Sequence, residues 1–149
     1  MVAGNPDLDS SRLAHDSEPK DAGRILLVDD SPLNLKVARL ILSNVGAPID
    51  VATDGYEALA MIEQVYHPLI FMDIHMPGID GIETTRQIRA REFARGQPTV
   101  IAISADTRPA NRERCLREGL DDFLEKPVKA TLLRERALQA LKSRTAHGF

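Results

Sequence analysis

Between Arg24 and Lys142, five strand-length apolar runs alternate with five stretches of helical spacing, which predicts an α/β sandwich on a mainly parallel sheet. Three of the runs are apolar throughout rather than at every second residue, the composition of strands covered on both faces. At 149 residues, 43% of them hydrophobic, the chain has the size of one domain with a substantial core. No internal repeat and no second domain are visible.

Residues 1–23 carry few large apolar side chains, several Asp, Ser and Pro, and no periodicity, and read as a disordered acidic leader. A folded domain is expected over 24–145, with a short tail at 146–149. The first run, RILLVD (24–29), is followed by a helical stretch over 32–46, in which Leu33, Val37, Leu40, Ile41 and Val45 form the expected core face and Gly46 the stop. PIDVAT (48–53) precedes a helix over 55–66, with Ala58, Leu59, Ile62 and Val65 inward. PLIFMD (68–73) precedes DGIETTRQIRAREFA (80–94), which opens with an acid and closes among bases, as the helix dipole favours. PTVIAIS (98–104) leads to a weakly amphipathic stretch over 107–119, with Pro109 near its start and Gly119 at its end. DDFLEK (121–126) leads to a last helix over 130–142 presenting Leu132, Leu133, Ala137 and Leu141.

Charge and composition exclude several classes. The net charge of −3 resides in the leader, where five acids face Arg12 and Lys20; the other seventeen acids and seventeen bases balance. A balanced domain lacks the basic stripe of a nucleic-acid binder. No apolar run reaches the length of a membrane span, and MVAGNPDLDS has neither the basic nor the apolar segment of a secretory signal. Cys115 stands alone, so no internal disulfide and no cysteine-cluster zinc site is expected. The expected location is cytoplasmic.

In open α/β folds, ligands sit beyond the carboxyl ends of the strands. The runs deliver Asp29 and Asp30, then Asp73, then Ser104, then Lys126 to that rim. Singly, each has a plain structural reading. Asp29-Asp30-Ser31-Pro32 suits a turn and helix cap, Asp73 a strand end, Ser104 a cap, and Lys126 a solvated base. Together at one end of one sheet they make chemistry. Three close carboxylates raise one another's pKa, and a divalent cation removes the conflict. Carboxylates and carbonyls without soft ligands suit Mg²⁺. Lys126 and the Ser104 hydroxyl can serve further phosphoryl oxygens, and a carboxylate is a competent nucleophile for an aspartyl-phosphate.

The motifs ILLVDDSPLN, LIFMDIHMPGIDG, VIAISA and FLEKP, in this order from Arg24 to Lys142, resemble the receiver domain of two-component response regulators (CheY-like). Both free-standing receivers and those of hybrid histidine kinases are similar. The resemblance implies a doubly wound (βα)5 sandwich with flavodoxin-like strand order 2-1-3-4-5. It implies Asp73 as phosphoacceptor, Asp29 and Asp30 as the Mg²⁺-holding pair with Asp30 the direct ligand, and the His75 backbone carbonyl as a further ligand. Ser104 takes the switch position, Lys126 pairs with the phosphoryl group, and the Lys126–Pro127 bond is expected to be cis. Phe123 stands where family members often have a rotating Tyr; without the hydroxyl, a switch there works by packing. Met76 reads as a packing residue, and Gly78 and Gly81 as relief for the backbone beside Asp73.

The implied activity is acceptance of a phosphoryl group from phosphohistidine on a histidine kinase or histidine phosphotransfer protein, docked on the helix 32–46 and the rim loops. The chain would catalyse only its own phosphorylation and slow dephosphorylation, and so is not otherwise an enzyme. No helix-turn-helix or catalytic segment follows within these residues, so the expected output is an unidentified protein target, a further phosphotransfer step or a partner domain. A dehalogenase-type enzyme would want an acid at 75 and Thr at 77, where His75 and Pro77 stand. A Rossmann nucleotide binder needs glycines where DDSPLN stands. The remaining rival is a receiver-like interaction module that is never phosphorylated.

Overall fold

The computed structural model describes residues 23–147; the leader up to residue 22 and the last two residues lie outside it. The elements run β1 (Ile25–Val28), α1 (Pro32–Ile41), β2 (Ile49–Ala52), α2 (Gly55–Ile62), β3 (Leu69–Asp73), α3 (Gly81–Arg89), β4 (Thr99–Ser104), α4 (Pro109–Arg117), β5 (Asp122–Glu125) and α5 (Ala130–His147). All neighbouring strands pair in parallel, in the order β2-β1-β3-β4-β5. The expected fold class and strand order are both present.

The continuous apolar runs feed two cores. Leu26, Val28, Ile70, Met72, Val100 and Ala102 face the layer of Ala58, Leu59 and Ile62 from α2 with Ile82 and Ile88 from α3. Ile25, Leu27, Leu69, Phe71 and Ile101 face the layer of Leu35 and Leu42 with Leu133 and Ala137 from α5. Alternate residues of one strand thus enter opposite cores, and each must be apolar. Helix starts follow local chemistry. Ser31, Asp54 and Asp80 cap α1, α2 and α3 by accepting from the N–H of Asn34 (3.2 Å), Glu57 (2.7 Å) and Glu83 (2.8 Å). Pro32 and Pro109 occupy the first turns of α1 and α4.

The structure departs from expectation on α1. Leu35 and Leu42 are buried and Ala38, Ile41 and Val45 half-buried, whereas Leu33 (67% exposed), Val37 (47%) and Leu40 (66%) face outward. Two interleaved sets of i, i+3, i+4 positions on this helix are apolar, and only packing against the sheet selects between them. The helix also ends at Ile41 and tightens into a 3-10 turn over Leu42–Asn44 before Gly46 at φ +82°. Helix α3 stops at Arg89, not 94. There the guanidinium ties the chain to Gly119 O (2.8 and 3.0 Å), Pro98 O (2.8 Å) and Asp121 (2.9 Å). Helix α5 continues to His147, past the expected end at 142.

Two glycines shape the loop after β3. Gly78 has φ +85°, and a Cβ on Gly81 would lie 2.3 Å from the Asp73 carbonyl oxygen. We expect Gly81→Ala to destabilise the fold by roughly 1–3 kcal/mol through overpacking against backbone, and Gly78→Ala by about 1 kcal/mol through its left-handed conformation. Urea unfolding measures both; a Gly81→Ala protein as stable as wild type would mean that the chain beside Asp73 yields freely.

Candidate functional site

Parallel pairing brings every strand's carboxyl end to one edge, and β1, β3, β4 and β5 each deliver a polar group there. Asp73 closes the fully buried strand β3 and is itself 2% exposed. Its Oδ1 accepts from Lys126 Nζ at 3.0 Å, while Oδ2 is buried without a partner. Asp29, just past β1, accepts from Ser31 N at 2.9 Å and Asn34 Nδ2 at 3.3 Å, and lies 3.6 Å from Lys126 Nζ. Asp30 is exposed beside it. Carboxylate oxygens of Asp29, Asp30 and Asp73 lie within 4.8 Å of one another.

The electrostatics follow from this crowding. Burial above all, with the nearby charges of Asp29 and Asp30, outweighs the hydrogen bond and charge of Lys126 and lifts the Asp73 carboxyl to about 6. Burial works to lower Lys126, but the hydrogen bond and charge of Asp73, with Asp29, hold it above its ordinary value. Lys126 meets acids, whereas Asp73 meets one base and two acids. The arrangement has surplus negative charge around a buried, half-satisfied carboxylate.

The other expected residues are placed as follows. Ser104 ends β4 fully buried, and its Oγ accepts from Asp106 N (3.0 Å) and Asn111 Nδ2 (3.5 Å). His75 is exposed in the loop after β3, and its side chain is outside the acid cluster. Phe123 is buried on β5, with the Arg112 guanidinium carbon 5.5 Å from its ring centroid. Met76 packs in the core, and the Lys126–Pro127 peptide is cis.

The family model of the response regulator receiver domain matches residues 25–138. The chain belongs to the receiver family.

Similar proteins point the same way. The chain is 35% identical to the sensor protein GacS of Pseudomonas syringae over 79% of its length. It is 36% identical to hybrid signal transduction histidine kinase L of Dictyostelium discoideum over 76%, and 33% identical to histidine kinase 5 of Arabidopsis thaliana over 80%. It spans only between 7% and 15% of the length of these curated relatives. Among solved structures, the receiver domain of Francisella response regulator 1452 superposes with a TM-score of 0.74 at 29% identity, covering 80% of this chain and 97% of that one. A CheY-like receiver protein from Methanospirillum hungatei superposes at 0.75 with 28% identity, covering 84% and 98%.

Receivers generally bind Mg²⁺ at an acidic pocket. The donor set here fits that ion: three carboxylates, no soft ligand, and a buried Asp73 Oδ2 lacking any partner. Asp29, Asp30 and Asp73 are the side chains that would hold such an ion.

Two site residues escaped the sequence reading. Asn34 fixes Asp29, and Asn111 joins Ser104 to the Asp106 carbonyl at 2.8 Å. Each is the third residue of a helix whose first is proline, in SPLN and RPAN. A polar side chain at that position commonly reaches back to the preceding loop, and this was the available signal.

The raised pKa makes Asp73 a cost to the metal-free fold. Unfolded, it ionises near 3.8; folded, near 6. Its charge therefore opposes folding at neutral pH, and the penalty fades as pH falls from 6 toward 4. Asp73→Asn should exceed wild type in stability by on the order of 2 kcal/mol at pH 7.5 in EDTA, with the gap closing near pH 4. Urea unfolding at both pH values reads it; equal stability at pH 7.5 would contradict a strained acid cluster.

Proposed function

We propose that this receiver is a phosphoacceptor in a two-component phosphorelay, working in the cytoplasm. Asp73 would take the phosphoryl group from phosphohistidine on a histidine kinase or histidine phosphotransfer protein. The observation carrying this reading is the buried Asp73 carboxylate, with one oxygen on Lys126 at 3.0 Å and the other bare, inside a cluster of acids. A structural ion pair would not leave an oxygen unsatisfied among like charges.

In the proposed step, an Asp73 oxygen forms a bond to phosphorus as the phosphorus–nitrogen bond breaks, and the donor imidazole nitrogen keeps the electron pair and takes a proton. Mg²⁺, held by Asp29, Asp30, Asp73 and the His75 carbonyl, would neutralise acid and phosphoryl charge. Lys126 turns from the carboxylate to a phosphoryl oxygen. Ser104 supplies its hydroxyl to another, and Phe123 repacks beside it. The outcome is a population shift at the surface around α4, β5 and α5, read by an unidentified protein target. Slow hydrolysis of the aspartyl-phosphate resets the domain.

Donor docking is assigned to α1. Leu33, Val37 and Leu40 lie exposed on the helix that begins beside Asp29 and Asp30, an apolar stripe of the kind that receives a partner helix. The description of the Dictyostelium and Arabidopsis relatives as histidine kinases supports a phosphohistidine donor.

Intact mass after incubation with a small phosphodonor and Mg²⁺ tests the chemistry. One added phosphoryl group is expected on wild type, and none on Asp73→Asn or with EDTA. No adduct, together with no beryllofluoride binding, would favour the phosphorylation-independent interaction module instead. For docking, Leu33→Asp with Leu40→Asp should slow transfer from a phosphorylated histidine phosphotransfer protein at least about tenfold while leaving small-donor phosphorylation unchanged. Equal slowing of both reactions would remove α1 as the docking surface.

A further inference from the structure

The β4–α4 junction holds Ser104 in a setting that the proposed switch must undo. Neither hydrogen bond to Ser104 Oγ comes from the acid cluster. One donor is Asp106 N at 3.0 Å, and the other is Asn111 Nδ2 at 3.5 Å. The same Nδ2 donates to Asp106 O at 2.8 Å. Helix α4 is mostly polar and buries only Asn111 and Cys115. A buried asparagine there has a hydrogen-bonding reason to be inside.

The three contacts form one small network. The strong bond to Asp106 O fixes the Asp106 residue, whose own N–H grips Ser104. The long bond to Ser104 Oγ is weak by its length, as a contact that must release should be. The Asp106 carboxylate is tied to Arg108 at 2.6 and 2.8 Å, which holds the loop from its outer side. Turning Ser104 toward Asp73 moves its oxygen from both donors and leaves a buried N–H unmatched.

We propose that Asn111 is a positioning residue that latches Ser104 in the resting setting and thereby sets how readily the receiver switches. The proposal rests on the phosphoacceptor reading above. The latch acts directly through the bond to Oγ and indirectly by fixing Asp106. Its removal favours the switched state, in which Ser104 faces the phosphoryl group, and should leave the metal site untouched, because the side chain of Asn111 hydrogen-bonds to Ser104 and Asp106 and to none of the three acids.

Beryllofluoride in the presence of Mg²⁺ is the probe, with its affinity measured by calorimetry. Asn111→Ala should bind it about three- to tenfold more tightly than wild type, the worth of one modest buried hydrogen bond, with the affinity for Mg²⁺ alone unchanged. In a Ser104→Ala background, Asn111→Ala should have no further effect. Asn111→Ser, a smaller polar change, should tighten binding in the same direction and carries the test if the alanine variant does not unfold cooperatively. Equal or weaker binding by a folded variant overturns the latch, as does tightening that persists without Ser104. Wild type that binds no beryllofluoride overturns the phosphoacceptor reading and the latch with it; wild type that binds while Asn111 variants match it overturns the latch alone.

Discussion

A carboxylate buried beside two others is the constraint on which the rest of the structure turns. Asp73 is nearly inaccessible, meets a single lysine, and has an oxygen without a partner. Such a group drifts toward solvent or takes a proton unless its backbone is held, and its pKa of about 6 records that pressure. The holding is done by β3, central in the sheet and buried at every residue. Beyond it, Ile74 continues the grip, with its N–H on Ile103 O at 3.1 Å and its carbonyl taking Gly81 N at 2.8 Å. Gly81 lies so close to the Asp73 carbonyl that no side chain fits between them.

The strand order then decides which residue types can complete the site. β1 neighbours β3, so the short acids Asp29 and Asp30 suffice to crowd Asp73. β5 does not; β4 lies between them. Two strand spacings amount to roughly 10 Å, and a base on β5 needs a long, flexible stem to cross that gap. Lys126 spans it and arrives at 3.0 Å. A serine suffices on β4, the adjacent strand. The acid-acid-hydroxyl-lysine set is thus a consequence of the order as much as of the chemistry.

What could be read from the sequence divides along the same physical line. Strands buried on both faces appear as unbroken apolar runs, and their ends mark the rim; the fold was legible, and so was the position of Asp29, Asp30, Asp73, Ser104 and Lys126 at that rim. The core face of α1 was legible only in part: Ile41 and Val45 pack inward as expected, but Leu33, Val37 and Leu40 do not. Leu33, Val37 and Leu40 have the same helical spacing as Leu35, Ala38 and Leu42, and periodicity alone cannot say which set meets the sheet. The early end of α3 was not legible, because it depends on Arg89 finding the carbonyls of Pro98 and Gly119 across the chain. Asn34 and Asn111 were hidden because asparagine near a helix start is ordinary; what makes them part of the site is the strand-end group each reaches.

Those two asparagines share a position and differ in their task. Asn34 helps hold Asp29 along with Ser31 N, so both oxygens of that acid are engaged and its orientation is set before any ion arrives. Preorganisation of that kind favours a residue whose role does not change. Asn111 instead grips backbone firmly and the Ser104 hydroxyl loosely, which favours a residue whose setting must change. Under the proposed function, that difference separates the part of the rim that receives charge from the part that responds to it. The response has a direct route outward, because α4 carries both Asn111 at the loop and Arg112 over the buried Phe123 ring. A rotation of Ser104 gives up only the longer of the two Asn111 bonds and leaves the firm one to Asp106 O, so under the proposed function the loop and the first turn of α4, with Arg112 over the Phe123 ring, would shift as one piece.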